Sequence, residues 1–456
     1  MSGRPSIAGA HAPTITRSVA FRTLGCKLNQ CETAQMEEAL AARGYSVVPW
    51  DGSATFRVIN TCTVTAKTDR TCRHEIRRAM RRDPGTLVAV TGCYAQVAPE
   101  KVASIPGVSL VLGNLDKARL ADHLAGLGTT RTEPITSVTP YHSDGGGRSV
   151  FEGEAFTHFS GYTRAFLKVQ NGCDSSCSYC VIPAARGPSR SMRLDSVLAQ
   201  VRLLAGEGYR EVVLTGIHLG AWGRDTGEGS LATLLQALAG DAAVERYRLS
   251  STEPMEVDDQ VLAVMREANG RFADHFHVPL QSGSDEILRA MHRPYSALQY
   301  ARRVRAIRDA FPDAAIGADV IVGYPGETDQ HFEETVALVR EVPLTYLHVF
   351  AYSDRPGTRA SEAASKTPPE VIDDRSRRLR ALGSQKRREF EQAFTGRELK
   401  ALVLKQTSSD GRLVALTGNY LEVLVNAEQT AVNTFVRVRP ERPHADGGWE
   451  GSICAP

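Results

Sequence analysis

Residues 165–180 read AFLKVQNGCDSSCSYC, a short apolar run followed directly by three cysteines. The cysteines, Cys173, Cys177 and Cys180, have the spacing C-x3-C-x2-C. Three thiolates on one tight loop can hold three irons of a [4Fe–4S] cube, and without a fourth cysteine nearby one iron keeps a free position for another ligand. The stretch therefore predicts an iron–sulfur cluster bound just after a strand.

A zinc site is the alternative for the same loop. Structural zinc takes four closed ligands, usually from paired C-x2-C units. No second pair and no flanking histidine accompany residues 173–180. Zinc therefore stays open as the weaker interpretation.

Strand and helix patterns alternate downstream of this loop. Helical segments such as Leu231–Leu238 and Phe332–Val339 separate six apolar runs. The six runs are Ala165–Gln170, Glu211–Ile217, Arg246–Ser251, His275–Gln281, Ala315–Gly323 and Tyr346–Tyr352. Six consecutive βα units predict a partial (β/α)6 barrel, with its chemistry on the loops at the C-terminal ends of the strands.

The cysteine loop and the strands after it resemble radical S-adenosylmethionine enzymes. Three strand ends fit that resemblance: 212–216 (VVLTG) ends in a small residue, 250–254 (SSTEP) offers a hydroxyl and a carboxylate, and 317–323 (GADVIVG) is apolar. The resemblance implies a set of residues around S-adenosylmethionine, namely Tyr179, Thr215, Gly216, Ser251, Glu253, Gln281 and Val322. It assigns no separate catalytic side chain. Arg186 could contact cofactor or substrate, or form an ordinary salt bridge.

The N-terminal part of the chain predicts a parallel α/β domain. Helical patterns lie between strand-like runs at 20–24, 57–60, 87–90 and 108–112. Cys26, Cys62 and Cys93 each follow one of the first three runs. Since ligand sites of parallel sheets lie outside the strand C-termini, we expect these cysteines to converge on one ligand. The alternative is three independent buried cysteines, because cysteine is often buried.

The C-terminal part has a different sequence pattern. Short β-like runs at 399–404, 412–416, 421–425 and 434–438 are separated by turns that contain glycine. They predict a small antiparallel β-barrel.

Composition indicates the cellular location of the protein but does not decide its function. The chain has 456 residues, a formal net charge of +2 and nine cysteines. The first 18 residues lack the apolar stretch of a secretory signal and predict a loose tail, so we expect a cytoplasmic protein in which a disulfide framework is improbable. Two arginine-rich helical runs, near 70–82 and 375–388, fit either RNA phosphates or solvated helix faces.

From about residue 19 to residue 456 the chain resembles the methylthiotransferases. Three stretches look most like the branch acting on threonylcarbamoyladenosine in tRNA: 23–30 (TLGCKLNQ), 214–220 (LTGIHLG) and 280–285 (LQSGSD). A fourth, 186–191 (RGPSRS), also matches the family pattern after the cysteine loop. Two positions depart from the pattern, Cys31, where this branch often has Tyr, and His292, in a stretch that usually reads Met-Asn-Arg.

The resemblance implies a fold and a cofactor set. We expect an N-terminal auxiliary-cluster domain at 19–130, a linker at 131–158, a radical S-adenosylmethionine domain at 159–392 and a TRAM domain at 393–456. Cys26, Cys62 and Cys93 would bind an auxiliary [4Fe–4S] cluster, and the cysteines of the 173–180 loop the radical cluster. The implied partners are S-adenosylmethionine, a tRNA anticodon loop, an electron donor of flavodoxin or ferredoxin type and a sulfur donor, with no membrane.

The implied reaction places a methylthio group on C2 of the adenine ring. Two alternatives remain. A sister enzyme would use the same chemistry on isopentenyladenosine in tRNA or on an aspartate of a ribosomal protein. The other alternative is a non-catalytic RNA-binding iron–sulfur sensor. Such a sensor would need no cofactor pocket, so the ordered strand-end motifs argue against it.

Overall fold

The structure, a computed structural model, describes residues 17–127, 133–141, 156–159, 161–241, 243–445 and 447–454. The described residues form two compact units. The first unit draws on the ranges Met1–Leu24, Met36–Thr61 and Thr71–Thr139, and the second on Gly25–Gln35, Cys62–Arg70 and Pro140–Pro456. Cys26 and Cys62 therefore belong to the second unit and Cys93 to the first. Residues 1–16 of the predicted tail lie outside the described residues.

The first unit is built on a parallel sheet. Its strands are β1 (Ser18–Thr23), β2 (Ser46–Val47), β3 (Phe56–Thr61), β4 (Leu87–Gly92), β5 (Val108–Leu112) and β6 (Ile135–Ser137). They lie in the order β2-β1-β3-β4-β5-β6, and every pairing is parallel. The helices that begin in or cross into this part are α1 (Lys27–Ala42), α2 (Ala66–Arg82), α3 (Cys93–Val97), α4 (Pro99–Ala103) and α5 (Leu120–Gly126). The predicted parallel α/β domain is confirmed.

Both faces of this sheet are covered. Val58 and Leu110 belong to an apolar core on one face, and Ile59 and Val90 to a second core on the other. Because successive strand residues point to opposite faces, strands buried on both sides need continuous apolar runs, as 87–90 and 108–112 provide. Cys72 lies fully buried in the second core, which fits a structural thiol.

The segment predicted as a linker, 131–158, is described only at 133–141 and 156–158. Within it, β6 pairs with β5 and adds the outermost strand of the sheet. Phe156 packs in the core of the second unit.

The second unit contains six parallel strands in two hydrogen-bonded sets. The strands are β7 (Ala165–Lys168), β10 (Glu211–Thr215), β11 (Arg246–Leu249), β12 (His275–His277), β13 (Ala315–Val322) and β14 (Tyr346–Ala351), with a short antiparallel pair β8 (Gln170–Asn171) and β9 (Arg190–Ser191). One set has the order β11-β10-β7 and the other β12-β13-β14. Tyr247 bonds the backbone of Arg271 and Ala273 and so continues β11 toward β12. Among the described residues β7 and β14 do not pair, so the predicted partial (β/α)6 barrel is confirmed.

Helices separate and follow the strands of the partial barrel. They are α6 (Ile182–Arg186), α7 (Leu194–Gly206), α8 (Leu231–Asp241), α9 (Asp259–Glu267), α10 (Asp285–Ala290), α11 (Ala297–Ala310), α12 (Asp329–Glu341) and α13 (Pro369–Gln392). Two of them start at capping boxes, where Ser296 and Thr328 accept hydrogen bonds from the third helical N–H. No helix in the described part of the chain is both long and apolar enough to cross a membrane.

The C-terminal barrel closes with five strands. They are β15 (Leu399–Thr407), β16 (Leu413–Thr417), β17 (Glu422–Val425), β18 (Phe435–Pro443) and β19 (Trp449–Ile453), in the order β15-β16-β17-β19-β18. The sequence pattern missed β19, and β17 pairs with it in parallel, so the barrel is not purely antiparallel as predicted. With this fifth strand the barrel is closed and leaves no strand edge open.

A buried ion cluster joins this barrel to the partial barrel. The Glu211 carboxylate accepts hydrogen bonds from Arg246 at 2.6 Å and from Arg248 at 2.9 Å. The same guanidinium groups donate to the backbone carbonyls of residues 416, 417 and 418 in the C-terminal barrel. The rings of Phe435 and Tyr420 lie over Arg246 and Arg248 respectively, at 4.7 and 5.0 Å. Each buried charge is therefore partnered across the junction.

Candidate active site

The cysteine loop leaves the barrel through a glycine that no other residue could replace without strain. Gly172 has a φ of +75°, and a Cβ there would lie 1.9 Å from the Pro188 carbonyl oxygen. Directly after it, the Cys173 amide donates to the Gly187 carbonyl at 3.0 Å. This close approach of two backbone segments folds residues 173–180 into a tight loop.

Hydrogen-bond donors point at the sulfur atoms of this loop. Arg293 Nη1 lies 3.2 Å from Cys177 Sγ, and the Ser175 amide lies 3.4 Å from Cys173 Sγ. His218 Nδ1 lies 3.7 Å from Cys173 Sγ. Donors to sulfur stabilise thiolates, so the loop suits ligation of a cationic cluster.

His218 and Cys173 form one electrostatic group with Glu256. His218 Nε2 lies 2.9 Å from Glu256 Oε1, and its backbone amide donates to Gln170 Oε1 at 2.8 Å. Burial opposes charging of the ring, but hydrogen bonds to Cys173 and Glu256 raise the pKa of His218 to about 10. Burial also opposes ionisation of Cys173, yet the hydrogen bonds from His218 and Ser175 lower the pKa of that thiol.

Cys180 has the opposite environment. Burial raises the pKa of its thiol to about 12. A thiol of this kind releases its proton readily only when a metal takes its place. The three cysteines, each half-buried, therefore fit a metal cluster better than free catalytic thiols.

The first cysteine set is divided between the two units. In the second unit, Gly25 packs against Cys62 so closely that a Cβ at Gly25 would lie 2.8 Å from Cys62 Sγ. Cys26, the next residue, lines the same cavity as Cys62. In the first unit, Cys93 follows Gly92, which pairs in register with Thr61 of β3. Convergence of all three sulfur atoms remains a prediction.

Gly92 also needs to be a glycine. Its φ is +98°, and a Cβ would lie 2.3 Å from the Thr61 carbonyl oxygen. Asn114 Nδ2 lies 3.9 Å from Cys93 Sγ. Cys93 thus sits at the C-terminal edge of the sheet, where parallel sheets bind ligands.

A cavity of about 1500 Å³ lies within the second unit. Cys26 and Cys62 line it together with Thr215, Gly216 and Ser251, three of the residues predicted around S-adenosylmethionine. Pockets for drug-sized ligands range from about 300 to 1,000 Å³, so this cavity has room for more than one ligand. The residues of the 173–180 loop are not part of its lining.

The other four residues predicted around the cofactor lie outside this lining. Tyr179 packs against the apolar group that contains Tyr324 and Met291, and Val322 is fully buried in β13. Gln281 is buried with a φ of +66°, and its backbone N–H donates to the backbone carbonyl of Asp319 at 2.8 Å. Glu253 forms an ion pair with Arg293, and so reaches the cysteine loop through that guanidinium.

A polar chain of side chains crosses the inner wall of the cavity. His275 Nε2 lies 2.8 Å from Tyr346 Oη, which lies 3.0 Å from His277 Nδ1. His277 Nε2 and His348 Nδ1 lie 2.9 and 3.3 Å from Asp319 Oδ1. Burial raises the pKa of Asp319, but the hydrogen bonds from His277 and His348 outweigh it and hold the pKa well below the usual range.

Cationic groups also line this cavity. Lys27 and Arg164 both line the cavity. Burial, together with the charges of Arg164 and Arg248, lowers the pKa of Lys27 to about 8. Glu211 partly opposes that shift.

The structure accounts for Arg186 and for two departures from the family pattern. Arg186 is fully buried and donates to Glu32 at 2.7 Å and to Asn29 at 2.6 Å, so it forms the salt bridge that was one of its two predicted roles. Cys31 is fully buried in the apolar core. His292 has a φ of +57°, a conformation that asparagine adopts more readily than most residues.

Sequence reasoning missed the residues that contact the cysteine sulfurs. Arg293 and His218 both lie in stretches quoted for the family resemblance, but nothing local assigns them a partner. Gln170 was also missed. Its side-chain amide donates hydrogen bonds to the Gly172 carbonyl and to the Ser189 hydroxyl, and so holds the loop. A polar residue ending an apolar strand just before the cysteines was the available signal.

Comparison with known proteins bears on both cysteine sets. The model of the Radical SAM superfamily matches residues 167–339. A second model, described as Uncharacterized protein family UPF0004, matches residues 18–113 and so covers all three N-terminal cysteines.

Curated relatives match nearly the whole chain. The threonylcarbamoyladenosine tRNA methylthiotransferase MtaB of Aquifex aeolicus is 41% identical over 405 residues, which are 89% of this chain and 96% of the relative. The chain belongs to the radical S-adenosylmethionine methylthiotransferase family. Methylthiotransferases of the same name from Bacillus subtilis and Thermotoga maritima are 36% and 34% identical, over 92% and 85% of this chain and 93% and 86% of their own lengths.

Solved structures support the fold of this methylthiotransferase. The radical S-adenosylmethionine methyltransferase TsrM from Kitasatospora setae, with cobalamin and a [4Fe–4S] cluster bound, superposes with a TM-score of 0.56 at 17% identity, over 76% of this chain and 77% of that chain. Its form with tryptophan and a cofactor analogue gives a TM-score of 0.53 over 73% of each chain. At this identity the likeness shows the fold alone.

Membership of the family defines the cofactors. A radical S-adenosylmethionine methylthiotransferase uses S-adenosylmethionine and [4Fe–4S] clusters. The donors around residues 173–180 fit one cluster, and the UPF0004 region, with its three cysteines after parallel strands, fits a second. The closed C-terminal barrel fits the predicted TRAM domain.

Proposed function

We propose that this enzyme attaches a methylthio group to C2 of N6-threonylcarbamoyladenosine next to the anticodon of tRNA. The observation that carries the proposal is the 34–41% identity, over at least 85% of the chain, to three enzymes that bear this activity in their names. The shared cavity of Cys26, Cys62 and Thr215 supports it, because sulfur insertion needs a sulfur-carrying site within reach of the radical site.

Two sets of ligands serve the two clusters in this proposal. Cys173, Cys177 and Cys180 hold the cluster that binds S-adenosylmethionine. The auxiliary cluster is held by Cys26, Cys62 and Cys93. When bound, these groups supply a carbon radical and the methylthio sulfur. The protein positions these groups and sets the electrostatic environment around them.

The chain's own residues then have separate tasks. Arg293 and His218 donate hydrogen bonds to the loop sulfurs and so set the electron affinity of that site. The cavity residues Thr215, Gly216 and Ser251, with the neighbouring Glu253, Gln281, Val322 and Tyr179, surround S-adenosylmethionine. The cavity lining would shield the reacting base from water.

Exposed cations near the cavity mouth would hold the tRNA backbone. Lys405 of the C-terminal barrel and Arg380 of α13 line the cavity, and Arg437 is exposed on β18. Arg412 is paired with Asp410 and Glu450, and Arg375 is buried against Glu327, so neither is available for phosphates. A splayed anticodon-loop base is a usual target of RNA-binding proteins.

Further partners complete the proposal. An electron donor of flavodoxin or ferredoxin type supplies electrons, and a sulfur donor restores the consumed sulfur. We place the enzyme in the cytoplasm, where its tRNA substrate is modified.

The decisive experiment is mass spectrometry of tRNA nucleosides from a bacterial host that makes threonylcarbamoyladenosine but cannot methylthiolate it. Expression of this chain should produce 2-methylthio-N6-threonylcarbamoyladenosine. The triple variant Cys173→Ala, Cys177→Ala and Cys180→Ala serves as the inactive control. Absence of the product, or methylthiolation of isopentenyladenosine instead, would overturn the proposal.

The sensor alternative has its own measurement. Anaerobically reconstituted protein with a reductant should cleave S-adenosylmethionine to 5′-deoxyadenosine, and a sensor should not. Metal analysis that found zinc without iron or sulfide would establish the zinc alternative.

A further inference from the structure

The wall of the cavity carries an excess of positive charge. Three carboxylates line it: Asp319, Asp373 and Glu391. Seven cationic side chains line it as well: Lys27, Lys67, Arg70, Arg164, Arg380, Arg387 and Lys405. Asp319 is already engaged by two histidines, and Glu391 by Arg387 at 2.6 Å. The cavity is therefore built for an anionic ligand.

Two of these cations, Lys27 and Arg164, adjoin a buried group of charges at Glu211. This fully buried carboxylate is in ion pairs with Arg164, Arg246 and Arg248. The ammonium group of Lys27 belongs to the same electrostatic cluster, since the charges of Arg164, Arg248 and Glu211 act on it. Three guanidinium groups thus pair with Glu211, and the Lys27 ammonium is a fourth cation in the field of this carboxylate.

Two of the four cations are fully committed. Arg246 and Arg248 divide their donors between Glu211 and backbone carbonyls of the C-terminal barrel. Both are buried, at 4% and 0% exposure, and neither lines the cavity. They hold the two barrels together and are not free to bind a ligand.

Lys27 and Arg164 are the two that keep free donors. Arg164 reaches Glu211 through one long contact of 3.5 Å, and its side chain is 16% exposed. Among the described residues, no hydrogen bond or ion pair within 4 Å involves the Lys27 ammonium. Both side chains line the cavity, so both can contact a ligand bound there.

We propose that Lys27 and Arg164 form an anion subsite that binds the carboxylate of the amino-acid substituent on the substrate adenine. The inference rests on the proposed function, because only a base that carries an acidic substituent brings such a group into the cavity. Lys27 directly follows Cys26, so the subsite lies beside the cysteine pair of the cavity. An isopentenyl substituent has no charge and leaves the subsite empty.

A carboxylate suits the subsite better than a phosphate of the tRNA backbone. The guanidinium of Arg164 offers a planar fork and Lys27 a point charge, which together match a carboxylate. Backbone phosphates remain with the strand outside the pocket and meet the exposed cations of α13 and the C-terminal barrel. The carboxylate of S-adenosylmethionine is a second possible source, which the experiment distinguishes.

The test compares two anticodon stem-loops that differ in one group. One carries threonylcarbamoyladenosine and the other carries the same base with the threonyl carboxylate converted to its amide. The wild-type enzyme should favour the acid by about tenfold to a hundredfold in kcat/KM, as expected for charge-assisted hydrogen bonds. Lys27→Met and Arg164→Gln should each lower kcat/KM for the acid and bring the acid-to-amide ratio toward one.

Three further measurements separate this role from others. Iron and sulfide content and the cleavage of S-adenosylmethionine without tRNA should match the wild type in both variants, because the subsite holds neither cluster nor cofactor. A raised KM for S-adenosylmethionine would assign the subsite to that cofactor and overturn the proposal. Arg380→Gln, the matched control at the cavity mouth, should weaken both stem-loops equally.

The outcome for the subsite is separate from that for the enzyme. Wild-type turnover of the acid stem-loop establishes the substrate before any variant is tested, and its absence would reject the proposed function instead. If the wild type modifies both stem-loops equally, or if Lys27→Met and Arg164→Gln keep the wild-type preference, the carboxylate subsite is wrong while the substrate assignment stands.

Discussion

Arg293 donates a guanidinium N–H to the sulfur of Cys177 at 3.2 Å, while its other arm pairs with Glu253. Arg293 and Cys177 are 116 positions apart in the chain. The contact places a permanent positive charge, only 4% exposed in its side chain, beside a proposed cluster ligand.

This contact predicts a change in reduction potential. Arg293→Gln removes the charge, so the reduced and more negative cluster loses stabilisation and its potential should fall by tens of millivolts, since about 59 mV corresponds to a tenfold change in a one-electron equilibrium. A redox titration followed by electron paramagnetic resonance measures it, in a Cys26→Ala, Cys62→Ala, Cys93→Ala background that keeps the other site silent. Arg293→Lys retains the charge and should shift the potential less; an unchanged potential in Arg293→Gln would contradict the electrostatic role.

The two cysteine sets should be separable by function. Cys62→Ala should abolish methylthiolation of tRNA and leave reductive cleavage of S-adenosylmethionine measurable, because Cys62 belongs only to the proposed auxiliary set. Chromatography of 5′-deoxyadenosine and nucleoside mass spectrometry give the two readouts. Cys454→Ala, outside both sets, should affect neither, and loss of both activities in Cys62→Ala would mean that the sites are not independent.

The cysteine loop depends on the backbone approach at Gly172. Gly172→Ala should lower iron content and cofactor cleavage, because its Cβ would lie 1.9 Å from the Pro188 carbonyl oxygen. Gly208→Ala is the matched control: its φ of +89° imposes a similar conformational strain, of roughly 1–2 kcal/mol, but no atom lies within 4 Å of the added Cβ. Equal iron loss in both variants would assign the effect to strain and not to the collision.

The ion cluster at Glu211 should control stability. Glu211→Gln leaves Arg246 and Arg248 buried without their counter-charge and should lower the free energy of unfolding by about 3–5 kcal/mol, measured by denaturant titration. The exposed pair Glu398–Arg439 is the control, and Glu398→Gln should cost about 0–1 kcal/mol. A small loss at Glu211 would mean that water or another group replaces the carboxylate.

The same carboxylate predicts a dependence of stability on acidity. Burial raises the pKa of Glu211, but the charges of Arg248, Arg246 and Arg164 outweigh it, so the folded-state pKa lies well below the ordinary value of 4.5. Its contribution to stability is therefore complete above pH 4.5 and declines as the pH falls below that value. Glu211→Gln should flatten this part of the stability profile; an identical acid dependence in wild type and variant would show that other groups govern it.

Much of this protein was predictable because its signals are local. The strands before Cys26, Cys62 and Cys93 are recognisable in the sequence as apolar runs between helical patterns. In the structure they are adjacent parallel strands. The fifth strand of the C-terminal barrel, Trp449–Ile453, was missed because its mixed polar sequence resembles a loop until it closes the barrel. The substrate class came from resemblance to a family, not from the physics of single residues.

The sequence by itself determined the three-cysteine loop at 173–180 and the order of βα units after it, since both depend on spacings of a few residues. Only the tertiary structure decided that Arg293 contacts Cys177, that Arg186 is a buried salt bridge, and that Lys27 and Arg164 face one cavity. These partners are separated by more than a hundred residues, and which cation meets which anion depends on how strands align and on which side of each strand a side chain points. No local pattern encodes that choice, because many arginines in the chain have the same local context and only folding gives each of them a partner.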